Sequence, residues 1–218
     1  MALLQIFPKW LIVLVLLGYT TQPSASEIKD ALQAETAVAA VQIAMEEVLD
    51  LIAEGQVYAN ENPNRFYSEV GELLDPMIDF RFFARYVMGV WYKQATSEQF
   101  ARFSESFKWH LVKTYALALV EFHEGEVRIV RARNRDSKRA AVSMQIDWQE
   151  KSYSVIYDMR KRGDIWQLVN LSIEGVNLAL NFKSQFDSAM KGPKFDRDMD
   201  KVIDAWTKNS NVEPSGTE

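Results

Sequence analysis

The 218-residue chain contains no cysteine. Disulfide scaffolds, thiolate metal sites and cysteine nucleophiles are all excluded by that one absence. Its two histidines, His110 and His123, leave little room for a histidine-rich metal site and lack a HExxH or similar spacing. Positive charge is in deficit. Twenty-five Lys and Arg against 30 Asp and Glu leave a net charge of −5 and a pI near 5.3. Binding nucleic acid would need a concentrated basic patch to overcome that sign. The chain has no GxSxG elbow, no glycine-rich phosphate loop, no acidic metal cluster, no internal repeat and no low-complexity segment. What is there is globular in character: 48% hydrophobic and 25% charged residues. Wholesale disorder is excluded, and the length suits one domain with a real core.

The N-terminus differs from everything after it. Lys9 is the one basic side chain before an apolar run at 10–17, which leads into the small, polar stretch Thr20-Thr21-Gln22-Pro23-Ser24-Ala25-Ser26. A charged start, a short apolar core and small residues at −3 and −1 read as a secretory signal peptide over 1–26, cleaved near Ser26. The run is too short for a spanning helix, which takes roughly 20 apolar residues. Loss of Lys9 leaves 24 basic against 30 acidic residues, a mature charge of −6. The expected organisation is one domain over 27–208 and a polar, disordered tail over 209–218.

Apolar spacing predicts helices first. Val38, Val41, Met45, Val48, Leu49 and Ile52 mark a helix over 27–54, stopped at Gly55. A short helix follows over 65–74. Asp75-Pro76 reads as the cap and first residue of another, running through Phe80, Phe83, Ala84, Val87 and Trp91. Thr96-Ser97-Glu98-Gln99 has the form of a capping box. It opens a stripe of Phe100, Phe103, Phe107, Leu111, Tyr115, Ala118 and Phe122, ending at Gly125. The period then switches to two. Val127 and Ile129; Val142, Met144, Ile146 and Trp148; Tyr153, Val155, Tyr157 and Met159; and Ile165, Val169, Leu171 and Ile173 form four runs. Turn signals at 134–137, 149–151 and 161–164 separate them, so the strands pair antiparallel. Helices over 178–190 and 196–208 close the chain. The class is α+β: helices, a curved antiparallel meander, then helices.

Few side chains suggest reaction chemistry. Glu46, Glu47 and Asp50 read as a solvated helix face, and His110 as a packed helical residue. Asp147 or Asp158 could serve as a base on a concave sheet. Arg128, Arg131, Arg133, Arg135, Lys138 and Arg139 crowd one hairpin, and Arg160, Lys161 and Arg162 flank the next turn. They read as solvation and edge protection, or as a site for phosphate or an acidic surface. Aromatics are dense over 66–122. Phe82, Tyr86 and Tyr92 lie off the main stripe, so their helix faces a second partner.

A family resemblance rests on Asp79-Phe80, Val87-Met88-Gly89-Val90-Trp91-Tyr92, Ala95-Thr96-Ser97-Glu98-Gln99 and the Phe103, Phe107, Leu111, Tyr115 ladder. The second block is Trp166-Gln167-Leu168-Val169-Asn170-Leu171-Ser172-Ile173-Glu174-Gly175-Val176-Asn177-Leu178, followed by Asn181-Phe182-Lys183-Ser184-Gln185-Phe186. In order and spacing these resemble the MlaC family, also called toluene-tolerance proteins, over 27–206. The chain departs at Phe182-Lys183, where the family often has Tyr-Arg, and at Pro193, where it often has paired glycines. The resemblance implies a soluble, monomeric periplasmic carrier of glycerophospholipids with an apolar pocket and no cofactor. It implies exchange with an inner-membrane ATP-driven transporter containing an MCE-domain protein, and with an outer-membrane lipoprotein–porin complex.

A diacyl lipid carries about 30 methylenes, so exposing both tails to water costs on the order of 20 kcal/mol. A carrier therefore needs apolar walls, not a reactive group. Stripe and alternation point to Phe82, Val87, Phe103, Phe107, Leu111, Tyr115, Val142, Met144, Val155, Tyr157, Val169 and Leu171 as walls. Arg128, Arg131 and Lys183 are expected at the head group or a partner. Two rivals stand beside the carrier. An isomerase-type enzyme would use Asp158 or Asp147 as base and Tyr157 as donor, and an adaptor would have a filled core and an exposed apolar patch. A carrier calls for a cavity of about 1,000 Å³ or more.

Overall fold

The computed structural model describes residues 32–121, 126–148 and 150–209. The expected signal segment, the start of the expected domain at 27–31 and the polar tail after Asn209, with Phe122, His123 and Gly125, lie outside the described residues; Asn209 itself, expected to open the tail, ends the last helix. Helix α1 spans Ala37–Gly55. It begins later than the spacing suggests, because Thr36 caps it: Thr36 Oγ1 accepts from Ala39 N at 3.2 Å. Its small residues Ala37, Ala40 and Val41 are buried, whereas Leu49 is exposed. Gly55 ends the helix against the Phe66 ring, where a Cβ would lie 2.4 Å from Phe66 Cε2.

Helix α2 spans Pro63–Met77, capped by Asn62, which accepts from Arg65 N at 3.3 Å. The two helices expected on either side of Asp75 are therefore one, with Pro76 in its last turn. The break falls at Ile78, whose extended backbone bridges to Leu168, while Asp79 N donates to Leu168 O at 3.0 Å. Tertiary pairing thus chooses Asp79, not Asp75, as the next cap. Its Oδ1 accepts from Phe82 N at 2.9 Å and opens α3, Phe80–Met88. Gly89, at φ +55°, stops α3 short of Trp91, which lies instead in a 3-10 turn, Gly89–Lys93. The predicted capping box is present. Thr96 Oγ1 accepts from Gln99 N at 3.1 Å and Gln99 Oε1 from Thr96 N at 3.0 Å, opening α4, Ser97–Glu121.

Strands β1 Glu126–Asp136, β2 Arg139–Trp148, β3 Lys151–Arg162, β4 Ile165–Ile173 and a short β5 Val176–Asn177 form an antiparallel meander in chain order. β1 extends through 134–136, so the first hairpin turns at Ser137 and Lys138 rather than earlier. Irregularities in β1 opposite β2, and between Asp158 and Met159 in the β3–β4 ladder, shift the register. Such bulges add local bend and twist. Helix α5, Leu178–Lys191, follows directly. Helix α6, Met199–Asn209, starts after the predicted 196 because Asp196 and Arg197 have φ of +50° and +57°. Asp198 supplies its cap, accepting from Lys201 N at 3.1 Å.

The sheet has α1 against one face, and α3 and α5 meet β4. A helical core joins Phe83, Val87, Phe103, Phe107, Phe182, Phe186 and Trp206. A second core lies between α1 and the sheet, and a third joins α1, α2 and α4 around Phe66, Val112 and Ala116.

Candidate functional site: an apolar sheet layer and a basic groove

The sheet core and the helical core are filled differently. Among the described residues, 16 apolar side chains are buried in the helical core and six partly so; in the sheet layer 11 are buried and 16 partly so. The helical core is therefore the more fully buried, although a groove of about 650 Å³ opens on it beside Val202 and Trp206, while the sheet layer leaves more of its apolar side chains partly within reach of solvent. The first turns of α1 contribute to this, before Met45 and Val48 follow on the same helix. Ala37, Ala40, Val41 and Ala44 offer too little volume to cover a sheet of large side chains.

Antiparallel register orders the sheet face into rows. From one end these are Lys161 with Trp166; Met159 with Ala140 and Leu168; Tyr157 with Val142 and Leu171; and Val155 with Met144 and Ile173. Tyr153 with Ile146 closes the series. The first row carries a cation and the rest are apolar. Trp166 is buried, yet its Nε1 has no hydrogen-bond partner among the described residues.

A groove of about 840 Å³ opens at that same end. Phe82 and Tyr86 of α3, Ala179 of α5, Val169 of β4 and Met159 and Ala140 form its apolar lining. Arg135, Lys138, Arg139 and Arg160 supply its cations. The volume is below the 1,000 Å³ expected of a carrier. However, Ala140 and Met159 belong to both groove and sheet layer, and Ala179 to groove and helical core. The groove thus lies at a seam between two cores.

The acidic groups of the groove are engaged. Asp158 accepts from Arg135 Nη2 at 2.8 Å and Asn170 Nδ2 at 2.9 Å, while Asn170 Oδ1 accepts from Ala179 N at 3.1 Å. Asp136 accepts from Lys138 N at 2.8 Å and Arg139 Nε at 2.6 Å, which hold its carboxyl below the usual carboxylate range. Arg160 is bound differently: its guanidinium lies 4.7 Å from the Phe82 ring centroid. A guanidinium over an aromatic face keeps its outer N–H donors available to an anion.

The base–donor pair imagined for an enzyme is separated. Tyr157 and Asp158 are neighbours on β3, so their side chains project to opposite faces. Burial raises the Tyr157 phenol pKa. Asp147, at the far end of the sheet, accepts from Ser152 and Arg128, whose hydrogen bonds hold its carboxyl low. A charged, hydrogen-bonded carboxylate is a poor base. Among the described residues no group of His, Asp and Glu could hold a metal ion.

The wall residues expected from sequence fall in several places. Val142, Met144, Val155, Tyr157 and Leu171 meet in the sheet layer. Phe82 and Val169 line the groove. Val87, Phe103 and Phe107 lie in the aromatic helical core with Leu111 packed on it, and Tyr115 is exposed. Of the expected cations, Lys183 stands near the groove, its Nζ 5.2 Å from the Tyr86 ring centroid. Arg128 pairs with Asp147 at the opposite end, and Arg131 lies exposed on edge strand β1. Sequence reasoning passed over Asn170 and the role of Arg139 and Arg160 as a pair. Counting back from the 149–151 turn would have set Arg139 opposite Arg160.

An antiparallel meander flanked by helices is an α+β fold with solved members. A phospholipid-binding protein from Ralstonia solanacearum, solved in complex with a phospholipid, matches with a TM-score of 0.70 at 22% identity, over 78% of this chain and 94% of that one. At that identity the likeness is one of fold. The family model described as MlaC protein matches residues 42–208, most of the chain, and the chain belongs to the MlaC family. It is also 35% identical to the toluene tolerance protein ttg2D of Pseudomonas putida over 159 residues, 72% of this chain and 73% of that protein.

Proposed function

We propose that the protein is a non-catalytic carrier of glycerophospholipids, holding acyl chains against the sheet and the head group at its basic end. The observation that carries this is the order of rows on the sheet face, from Lys161 through the apolar rows to Tyr153. From Met159 to Tyr153 the strand rises by about 20 Å at roughly 3.3 Å per residue. One leaflet of hydrocarbon is about 15 Å deep, half of a 30 Å core. The layer is long enough for an acyl chain, and its partly exposed side chains need little rearrangement to admit one.

Val142, Met144, Val155, Tyr157 and Leu171 then contact tails and Lys161, at the end of the same face, meets the phosphate, while Phe82, Val169, Arg139, Arg160 and Lys183 belong to the groove at that end and add positive charge to the mouth. The phospholipid named with the Ralstonia structure supports the ligand class. The separation of Tyr157 from Asp158 weighs against the isomerase reading. We further propose that the chain is exported to the periplasm after cleavage near Ser26. There, as a monomer, it shuttles lipid between an inner-membrane MCE-domain transporter and an outer-membrane lipoprotein–porin complex, maintaining outer-membrane lipid asymmetry. Among the described residues no helix is long and apolar enough to cross a membrane.

Organic extraction of protein purified from periplasmic fractions tests the central claim. Phospholipid in near-stoichiometric amount is expected. Absence of phospholipid, together with no uptake from liposomes, would refute it.

A further inference from the structure

Trp166 has an unmet need that the carrier reading explains. Its side chain is 4% exposed, in the layer between α1 and the sheet. Indole Nε1–H can only donate, and it finds no acceptor among the described residues. Buried donors in native proteins nearly always have a partner. Among the described residues the layer around it is largely apolar and offers no acceptor, so a ligand that enters the layer can supply one.

The neighbours say what kind of acceptor this is. Across the β3–β4 ladder Trp166 pairs with Lys161, whose Nζ lies 5.9 Å from the indole centroid. The next row inward, Met159 with Leu168, is apolar. Rows on one face are about 6.6 Å apart, two residues along the strand. The face therefore presents a partly exposed cation, a buried donor and then hydrocarbon, within two rows. A glycerophospholipid presents phosphate, ester carbonyls and acyl chains in the same order. Beneath the phosphate, the ester oxygens are the only acceptors it brings into an apolar layer.

We infer that Trp166 Nε1 donates to an ester carbonyl of the bound lipid and makes the protein prefer ester-linked over ether-linked glycerophospholipids. This inference rests on the carrier reading. Contact with hydrocarbon alone cannot distinguish the two linkages, because apolar attraction is non-directional. A hydrogen bond can, since a diether lipid has no carbonyl there and offers the indole only a weaker ether oxygen.

The test offers the full mature chain, stripped of lipid, an equimolar mixture of diester and diether phosphatidylglycerol with matched chains. Native mass spectrometry reads the ratio bound. The wild type is expected to favour the diester roughly fivefold. Trp166→Phe keeps an aromatic ring and loses the donor, and its ratio is expected to fall to about one. If that variant does not fold, the indole proton resonance of wild-type protein serves instead, moving downfield with diester but not with diether lipid. Equal binding of both lipids by the wild type, or a preference retained by Trp166→Phe, would overturn the hydrogen bond and leave the carrier reading intact. Binding of neither lipid would overturn the carrier reading itself.

Discussion

Asn170 Nδ2 donates to Asp158 Oδ2 at 2.9 Å, and its own Oδ1 accepts from Ala179 N at 3.1 Å. One amide thus joins β3, β4 and the first turn of α5 at the floor of the groove. Asn170→Ala removes both bonds and leaves an N–H and a carboxylate oxygen short of partners. The expected loss is about 1–3 kcal/mol, read as a lower urea midpoint with an unchanged m-value. Arg135→Ala, which removes an exposed partner of the same carboxylate, should cost only about 0–1 kcal/mol. Equal losses would mean that Asn170 does not join the elements as described.

His110 gives stability a pH dependence. Its ring sits 5.2 Å from Trp206 and 5.9 Å from Phe182, and burial lowers its pKa below 6.5. The unfolded chain takes up a proton below pH 6.5 that folded His110 resists. The unfolded state then binds more protons, so stability falls as pH drops below 6.5 and is fully present above it. Carboxylates with lowered pKa act in a separate, more acidic window, below their ordinary 3.8. His110→Gln should flatten the slope between about pH 6.5 and 5 in chemical denaturation; a slope identical to wild type would contradict this.

Gly55 is where α1 meets the Phe66 ring. A Cβ there would lie 2.4 Å from Phe66 Cε2 and 2.8 Å from Cδ2. Gly55→Ala improves helix propensity yet should destabilise by about 1–3 kcal/mol through overpacking. Adding Phe66→Leu should recover part of the loss in thermal denaturation. A Gly55→Ala protein as stable as wild type would show that the ring yields freely.

Charge at the groove mouth can be tested apart from folding. Arg139 and Arg160 are opposite each other on β2 and β3, and both are exposed. Surface changes away from buried groups alter stability little, about 0.5 kcal/mol either way. Arg139→Gln with Arg160→Gln should therefore leave the melting temperature nearly unchanged while weakening retention of phosphatidylglycerol several-fold. Dialysis against liposomes measures that retention; no change would move the head-group site elsewhere.

Much of the architecture could be read in the residues. Thr96 to Gln99 forms the capping box its letters spell, because that cap is a local exchange of two hydrogen bonds. The meander follows from alternation and short turns. Asp75-Pro76 misleads for the opposite reason. The choice between Asp75 and Asp79 as cap depends on Ile78 and Asp79 pairing with Leu168, about ninety residues away. The site was harder still. Phe103 and Phe107 look like wall residues on a helical stripe, but a stripe has the same letters whether it meets another helix or a ligand. Trp206, Phe182 and Phe186 fill the space in front of them.

The sequence by itself determined the class of fold, the strand order and the absence of thiol chemistry, since these depend on local periodicity, turn residues and composition. Only the tertiary structure decided where apolar surface stays open. Ala37, Ala40 and Val41 face the sheet and undercover it, while bulky aromatics bury more of the helical core. That difference is one of volume matched across contacts distant in sequence, and no single segment encodes it.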